Sequence, residues 1–196
     1  ALIRLNVPSM MLYGGTIAPG RFKGQNLDIV SVYEAIGAYS AGKISAEDLK
    51  GIEDHACPGP GACGGQYTAN TMAMISQILG ICPMGMADVP AEDDDKNGVA
   101  YKAGTMMLDL IERNIRPRDV ITRQSLINSI ACSAATAGST NAILHTLAFA
   151  REAGLEFTLE DIEAISDRTH VITDLRPTGK YVALDLYRAG GFRLVV

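Results

Sequence analysis

Apolar positions along the chain fall into two kinds of segment, short uninterrupted runs and longer stretches with helical spacing. Residues Val7–Tyr13 form a short apolar run closed by Gly14-Gly15, which predicts a buried strand followed by a loop. The opening Ala1-Leu-Ile-Arg-Leu-Asn-Val-Pro8 runs straight into this strand-like sequence. Asp28–Tyr39 has helical spacing, and Ser45-Ala-Glu-Asp48 reads as a capping box opening a short helix, with the Ser oxygen accepting a free N–H and the Asp reaching back. Cys57–Gly65 has no period. From Thr68 to Leu79 the spacing is helical again, with Met72, Ile75 and Leu79 three and four residues apart.

Met84–Asn97 predicts a loop that ends in the acidic run Glu92-Asp-Asp-Asp95. With Lys96 next, the run reads as a solvated turn and helix start rather than a metal site. Val99–Asn114 predicts a helix, Arg116-Pro-Arg-Asp119 its stop, and Thr122–Ala135 a helix of small residues. Gly138-Ser-Thr-Asn141 breaks that helix and caps the next, Ala142–Ala153, which Gly154 ends. Thr158-Leu-Glu-Asp161 starts one more, to Ser166, and His170–Leu175 reads as a strand. There is no internal repeat and no long linker. Helices outnumber a few buried strands, so the expected fold class is α/β, a layered domain with helices around a mostly parallel sheet.

Composition supports a single packed domain: 196 residues, 47% of them hydrophobic and 20% charged, suffice for a substantial core. A net charge of -5 and a pI near 5.2 lack the basic footprint that nucleic acid or an anionic membrane attracts. Two charge-free stretches, His55–Ala87 and Gln124–Ala150, are long enough to raise the question of membrane spans. Prolines and glycines break the first, and Ser, Thr and Asn dot the second, so both predict buried soluble helices. The four cysteines Cys57, Cys63, Cys82 and Cys132 are too few and unevenly placed for a disulfide framework, and reduced thiols in a cytosol-like compartment are expected. Both chain ends read as cut, and nothing at the start resembles a signal peptide.

Chemistry concentrates in Cys57-Pro-Gly-Pro-Gly-Ala-Cys63-Gly-Gly-Gln-Tyr-Thr-Ala-Asn-Thr-Met72. Glycines on both sides of Cys63 let the backbone approach a bulky group and adopt positive φ. A helix starting at Thr68–Asn70 aims free N–H groups and a positive dipole end at the loop, favouring thiolate, sulfide or a substrate carboxylate. A cysteine in that setting is expected to be acidic and to face a cavity. On the residues alone, two other readings stand beside a cluster ligand: a small residue in a tight turn, or half of a zinc site. No second Cys/His pair stands at zinc-ligand spacing.

The same stretch resembles the cysteine motif of the dihydroxy-acid and phosphogluconate dehydratase family, Cys-Pro-Gly-x-Gly-x-Cys-Gly-Gly, an aromatic, then Thr-Ala-Asn-Thr-Met. Further landmarks follow in order: Arg4-Leu-Asn-x-Pro8, Tyr13-Gly-Gly-Thr-Ile17, Pro90-Ala-Glu-Asp93, Pro117-Arg-Asp-x-Ile-Thr122, Gly138-Ser-Thr-Asn-Ala-x-Leu-His145 and Pro177-Thr-Gly-Lys-Tyr181. The resemblance implies that residues 1–196 are part of an N-terminal iron–sulfur dehydratase domain, with the C-terminal domain outside the chain. It carries one of three cluster-ligating cysteines onto Cys63 and none onto Cys57. The cluster type, two-iron or four-iron, stays open. The other two thiolates, the Mg2+ ligands and the catalytic base are implied to lie outside this sequence, so the chain alone is expected to hold no stable cluster and to turn over no substrate.

For the whole protein the resemblance implies dehydration of a 2,3-dihydroxy carboxylic acid to a 2-keto acid in valine and isoleucine synthesis, by a cytoplasmic (organellar in a eukaryote) homodimer. Sugar-acid dehydration is the near alternative, and a non-catalytic association domain the one from another class. Other polar residues have plainer expectations. Ser139, Thr140 and Asn141 read first as a helix cap, His55, His145 and His170 as satisfied core histidines, and Cys82 and Cys132 as packed thiols. Methionines from Met72 to Met86 read as core filler. Gln66 stands where the family more often has an apolar residue, and Ala137 where it more often has glycine.

Overall fold

A computed structural model describes all residues, 1–196. In chain order the elements are α1 (Leu2–Leu5), β1 (Gly20–Phe22), β2 (Gln25–Leu27), α2 (Ile29–Ser40), α3 (Ala46–His55), α4 (Thr68–Ile78), α5 (Asp95–Glu112), α6 (Pro117–Val120), α7 (Arg123–Ala135), α8 (Asn141–Ala153), α9 (Leu159–Asp167) and α10 (Ala183–Ala189), closed by a 3-10 turn, Gly191–Leu194. Helices dominate, as the periodicity predicts.

The sheet does not follow expectation. β1 and β2 form a two-stranded antiparallel hairpin, Gly20 facing Leu27, and no layered, mostly parallel sheet exists. Parallel pairing is confined to two isolated bridges, Thr16 with Ala62 and Leu175 with Tyr181. Val7–Tyr13 is extended but not a strand: Met11 and Tyr13 pack on Ala73, Cys82 and Ala87, and the one backbone bond the run donates is from Met11 N to Ile81 O, 2.7 Å. An apolar run buries itself equally well as a strap against helices, and periodicity cannot tell the two apart. His170–Leu175 is likewise a strap, with Ile172 N bonded to Ala135 O at 2.9 Å. At the chain start, Leu2–Leu5 makes a helical turn, with Ile3 buried against the main core.

That core lies around α4. Ala73 through Gln77 are buried at every position, so α4 is enclosed on all sides by its neighbours. Met74, Ile75 and Leu79 meet Leu126 and Ile130 of α7, Ala142 and Ala150 of α8, and Ile162 and Ile165 of α9. Met74 fills the centre of this cluster, as the methionine pattern predicts.

Capping follows the sequence closely. Thr122 and Thr158 form reciprocal capping boxes with Ser125 and Asp161, and Gly154 ends α8 at φ 74°. Two caps differ from expectation. Ser45 accepts from Asp48 N at 3.0 Å, but the Asp48 carboxylate turns away to pair with Lys23. Thr140 occupies the N-cap of α8 without a side-chain bond; Ser139 Oγ accepts from Asn141 N at 3.3 Å instead. The acidic run does open α5 at Asp95, while Lys96 folds inward onto the carbonyls of Tyr13 and Val89, at 2.8 and 3.0 Å. No helix is long and apolar enough to cross a membrane.

Candidate cluster-ligand loop

Cys63 sits half-buried in a loop whose backbone is held on every side. The Gly15–Ile17 strap grips Ala62 from both directions: Ile17 N donates to Ala62 O at 2.8 Å and Ala62 N to Gly15 O at 2.9 Å. Past the cysteine, Ala183 N donates to Gly64 O and Gln66 N to Arg176 O, each at 2.7 Å. From inside, the buried Asn70 amide donates to Cys63 O and Gly65 O, both at 2.7 Å, and Thr16 Oγ1 donates to Cys63 O at 2.8 Å. The Asn70 carbonyl oxygen accepts from Tyr13 OH at 2.8 Å. Burial, and then the nearby Cys63 sulfur, push the Tyr13 phenol well above its ordinary range, so it stays protonated and donates.

The glycines act differently from one another. Gly61 takes φ +128°, where a side chain would be strained. Gly65 needs no unusual φ; a Cβ there would come 2.8 Å from the Tyr67 ring and 3.0 Å from the Arg176 backbone oxygen, so close approach is what requires glycine. α4 begins three residues on, with Tyr67 as N-cap and no side-chain cap, which leaves first-turn N–H groups free of a side-chain acceptor.

Beside the loop is a polar pocket of about 180 Å³, lined among others by Asp28, Ser31, Glu34, Tyr67, Arg176 and Lys180. Asp28 is its anchor, 2% exposed, capping α2 through Val30 N and Ser31 N and accepting from Tyr67 OH at 2.9 Å, with Arg176 Nη1 at 3.1 Å. Burial alone would raise its pKa, but the bonds from Tyr67, Arg176 and the Ser31 amide outweigh burial and hold the carboxyl below its ordinary range.

Of the residues singled out from the sequence, Cys63 alone enters this loop's centre. Cys57 is exposed, Cys82 is buried and Cys132 is half-buried, and all four thiols are free. Burial pushes the Cys82 thiol up to about 11 and raises that of Cys132, as inert packed thiols require. The histidines are not core residues: His55 and His170 are exposed and His145 is half-buried. His55 satisfies its ring on Gly51 O at 2.7 Å at the end of α3, so a hydrogen bond along its own helix replaces the expected burial. Ser139 and Asn141 do more than cap, since Thr68 Oγ1 meets Ser139 Oγ at 3.1 Å and accepts from Asn141 Nδ2 at 2.9 Å, tying the starts of α4 and α8 together. Gln66 is buried against Thr136 and Met74, with Oε1 unpartnered, and belongs to the core. Tyr13, Thr16 and Asn70 stood inside the quoted motifs with no role assigned to them, and the Asp28–Arg176 pair was not singled out from the sequence.

The chain's likeness to known proteins bears on what this loop is for. The family model for the N-terminal region of dihydroxy-acid/6-phosphogluconate dehydratases matches residues 1–196. The chain belongs to this family. Among curated relatives, dihydroxy-acid dehydratases of a Roseiflexus species and of Thermus thermophilus are 56% and 54% identical over 99% of the chain. That of Sulfurisphaera tokodaii is 50% identical over all of it. The chain spans about a third of the length of these relatives, 35% in each.

The donor chemistry of the loop fits one corner of an iron–sulfur cluster: a free, half-exposed thiol on a braced backbone, although none of the larger cavities is lined by Cys63, against the expectation from the sequence. It fits only one corner, because no group of three or more His, Cys, Asp or Glu side chains converges anywhere in the chain.

Proposed function

We propose that the protein carrying this chain is an iron–sulfur hydro-lyase that dehydrates 2,3-dihydroxy carboxylic acids to 2-keto acids for branched-chain amino-acid synthesis. The observation that carries the reading is the Cys63 loop: a free, half-exposed thiol on a backbone whose carbonyls from Cys63 to Gly65 all accept hydrogen bonds, in a chain of this family. The reaction removes the C3 hydroxyl and the C2 proton, and the resulting enol becomes the keto acid. A bound cluster supplies a Lewis acid for the departing hydroxyl. Cys63 supplies one thiolate to it, and the partner thiolates and the Mg2+ ligands come from other parts of the protein.

This chain's own residues hold that thiolate still. Preorganisation of this kind matters because a ligand displaced by an ångström weakens both metal binding and alignment of the substrate. The names of the curated relatives favour dihydroxy acids over sugar acids as substrate. The protein acts in the cytoplasm as a homodimer. Turnover of dihydroxyisovalerate and of gluconate by the anaerobically purified full-length protein tests the reading: preference for dihydroxyisovalerate is expected, and turnover of gluconate alone, or of neither with an intact cluster, overturns it.

A further inference from the structure

We infer that Asn70 is a positioning residue for Cys63, screening the carbonyl oxygens around the cysteine sulfur and thereby setting how tightly, and at what potential, a cluster is held. The inference rests on the reading of Cys63 as a cluster ligand.

Asn70 is 3% exposed and stands in the first turn of α4. Its amide nitrogen has two protons and three acceptors around it: Cys63 O and Gly65 O, both at 2.7 Å, and Thr16 Oγ1 at 3.2 Å. Tyr13 OH, bonded to Oδ1 at 2.8 Å, fixes which way the amide faces. Gly65 O also accepts a long bond from the Cys63 thiol, Sγ to O 3.9 Å. Left bare, that carbonyl would present the negative end of its dipole to a thiolate, in a part-buried setting where electrostatic interactions are strong. By donating to the same oxygen, Asn70 offsets part of that negative charge.

A second consequence follows from peptide geometry. In a trans peptide the N–H points opposite to the C=O. Cys63 O is turned to Asn70 and Thr16, and Gly64 O to Ala183 N, so the N–H groups of Gly64 and Gly65 point away from those partners. Neither N–H donates to any acceptor in the chain. Both are thus free for an acceptor from outside the chain such as a cluster sulfur, and hydrogen bonds to the sulfurs of a cluster raise its reduction potential. The position does not call for asparagine on packing grounds alone, because its bonds go to backbone atoms of one loop and to the two residues that brace it.

The test uses the full-length protein with Asn70→Asp, which keeps the shape but loses the donors, and Tyr13→Phe, which removes only the hydroxyl that orients the amide. Cluster content, reduction potential, loss of iron to a chelator and thermal melting are measured for each, with Cys63→Ser alongside. Asn70→Asp is expected to lose iron about 10- to 100-fold faster, the usual penalty for removing an outer-shell partner. Its potential should move to more negative values, while a folded protein remains. Tyr13→Phe should move the potential in the same direction by less, and it decides the matter if Asn70→Asp does not fold. Wild-type potential and iron loss in a folded variant overturn the inference. If Cys63→Ser retains a full cluster, the ligand reading itself fails; if it loses the cluster while both other variants behave as wild type, only the role of Asn70 fails.

Discussion

Replacing Asp28 with alanine removes, in one step, the cap of α2, the acceptor of the Tyr67 hydroxyl and the partner of Arg176. Loss of a helix cap costs about 1 kcal/mol. A hydrogen bond to a charged acceptor adds about 1.5–3 kcal/mol. Breaking a fully buried ion pair costs about 3–5 kcal/mol, but Arg176 is 24% exposed and retains Ser31 Oγ and Asn26 O, so that contribution is the smallest of the three. These effects share one carboxylate and do not add fully, which places Asp28→Ala at about 2–4 kcal/mol of destabilisation. For a domain of this size that is a fall of roughly 10 °C in the unfolding transition at pH 7. Asp28→Asn, which keeps the cap, should fall by less. The pH dependence has a definite sign: the folded-state carboxyl is held below its ordinary 3.8, so its stabilisation is complete above that value and fades as pH falls through the lower folded-state value. The gap between wild type and variant, measured by calorimetry, therefore narrows below about pH 3.8. A fall of less than about 2 °C at pH 7, or a gap that widens in acid, would refute the reasoning.

Leu126→Ala, at a fully buried position of α7, should cost about 2–5 kcal/mol through lost burial and the cavity left behind, read as the shift of the thermal or urea transition. Thiol labelling at pH 8 should reach exposed Cys57 first and Cys82 only on unfolding, since a thiol near 11 is about one part in a thousand thiolate; mass spectrometry showing Cys82 labelled as fast as Cys57 would contradict the structure. The 196-residue chain alone, reconstituted anaerobically with iron and sulfide, should show neither stoichiometric cluster absorption nor turnover, because no group of three or more metal-ligating side chains forms in it.

Local features were legible in the sequence where their cause is local. The helix starts at Thr122 and Thr158, the glycine end of α8 and the helical period of Thr68–Leu79 each depend on residues within a few positions. The irregular Cys57–Gly65 loop was equally visible, because its prolines and glycines exclude regular structure. What escaped depends on distant partners. Val7–Tyr13 and His170–Leu175 carry the composition of strands, and only the absence of a neighbouring strand leaves them as straps over helices. Asn70 stood in the quoted motif, but its role gave no signal because its acceptors are backbone oxygens, which any sequence possesses. Asp28 and Arg176 are joined across most of the chain, so neither marks the other.

Iron content and visible absorption of full-length Cys63→Ser, set beside Cys57→Ser, test the central claim most directly. Cys63→Ser should lose the cluster and turnover while remaining folded, because oxygen is a poor substitute for a thiolate on this type of centre. Cys57→Ser, exposed and away from the loop's centre, should keep both. A Cys63→Ser protein with full iron, unchanged absorption and undiminished turnover would contradict the account.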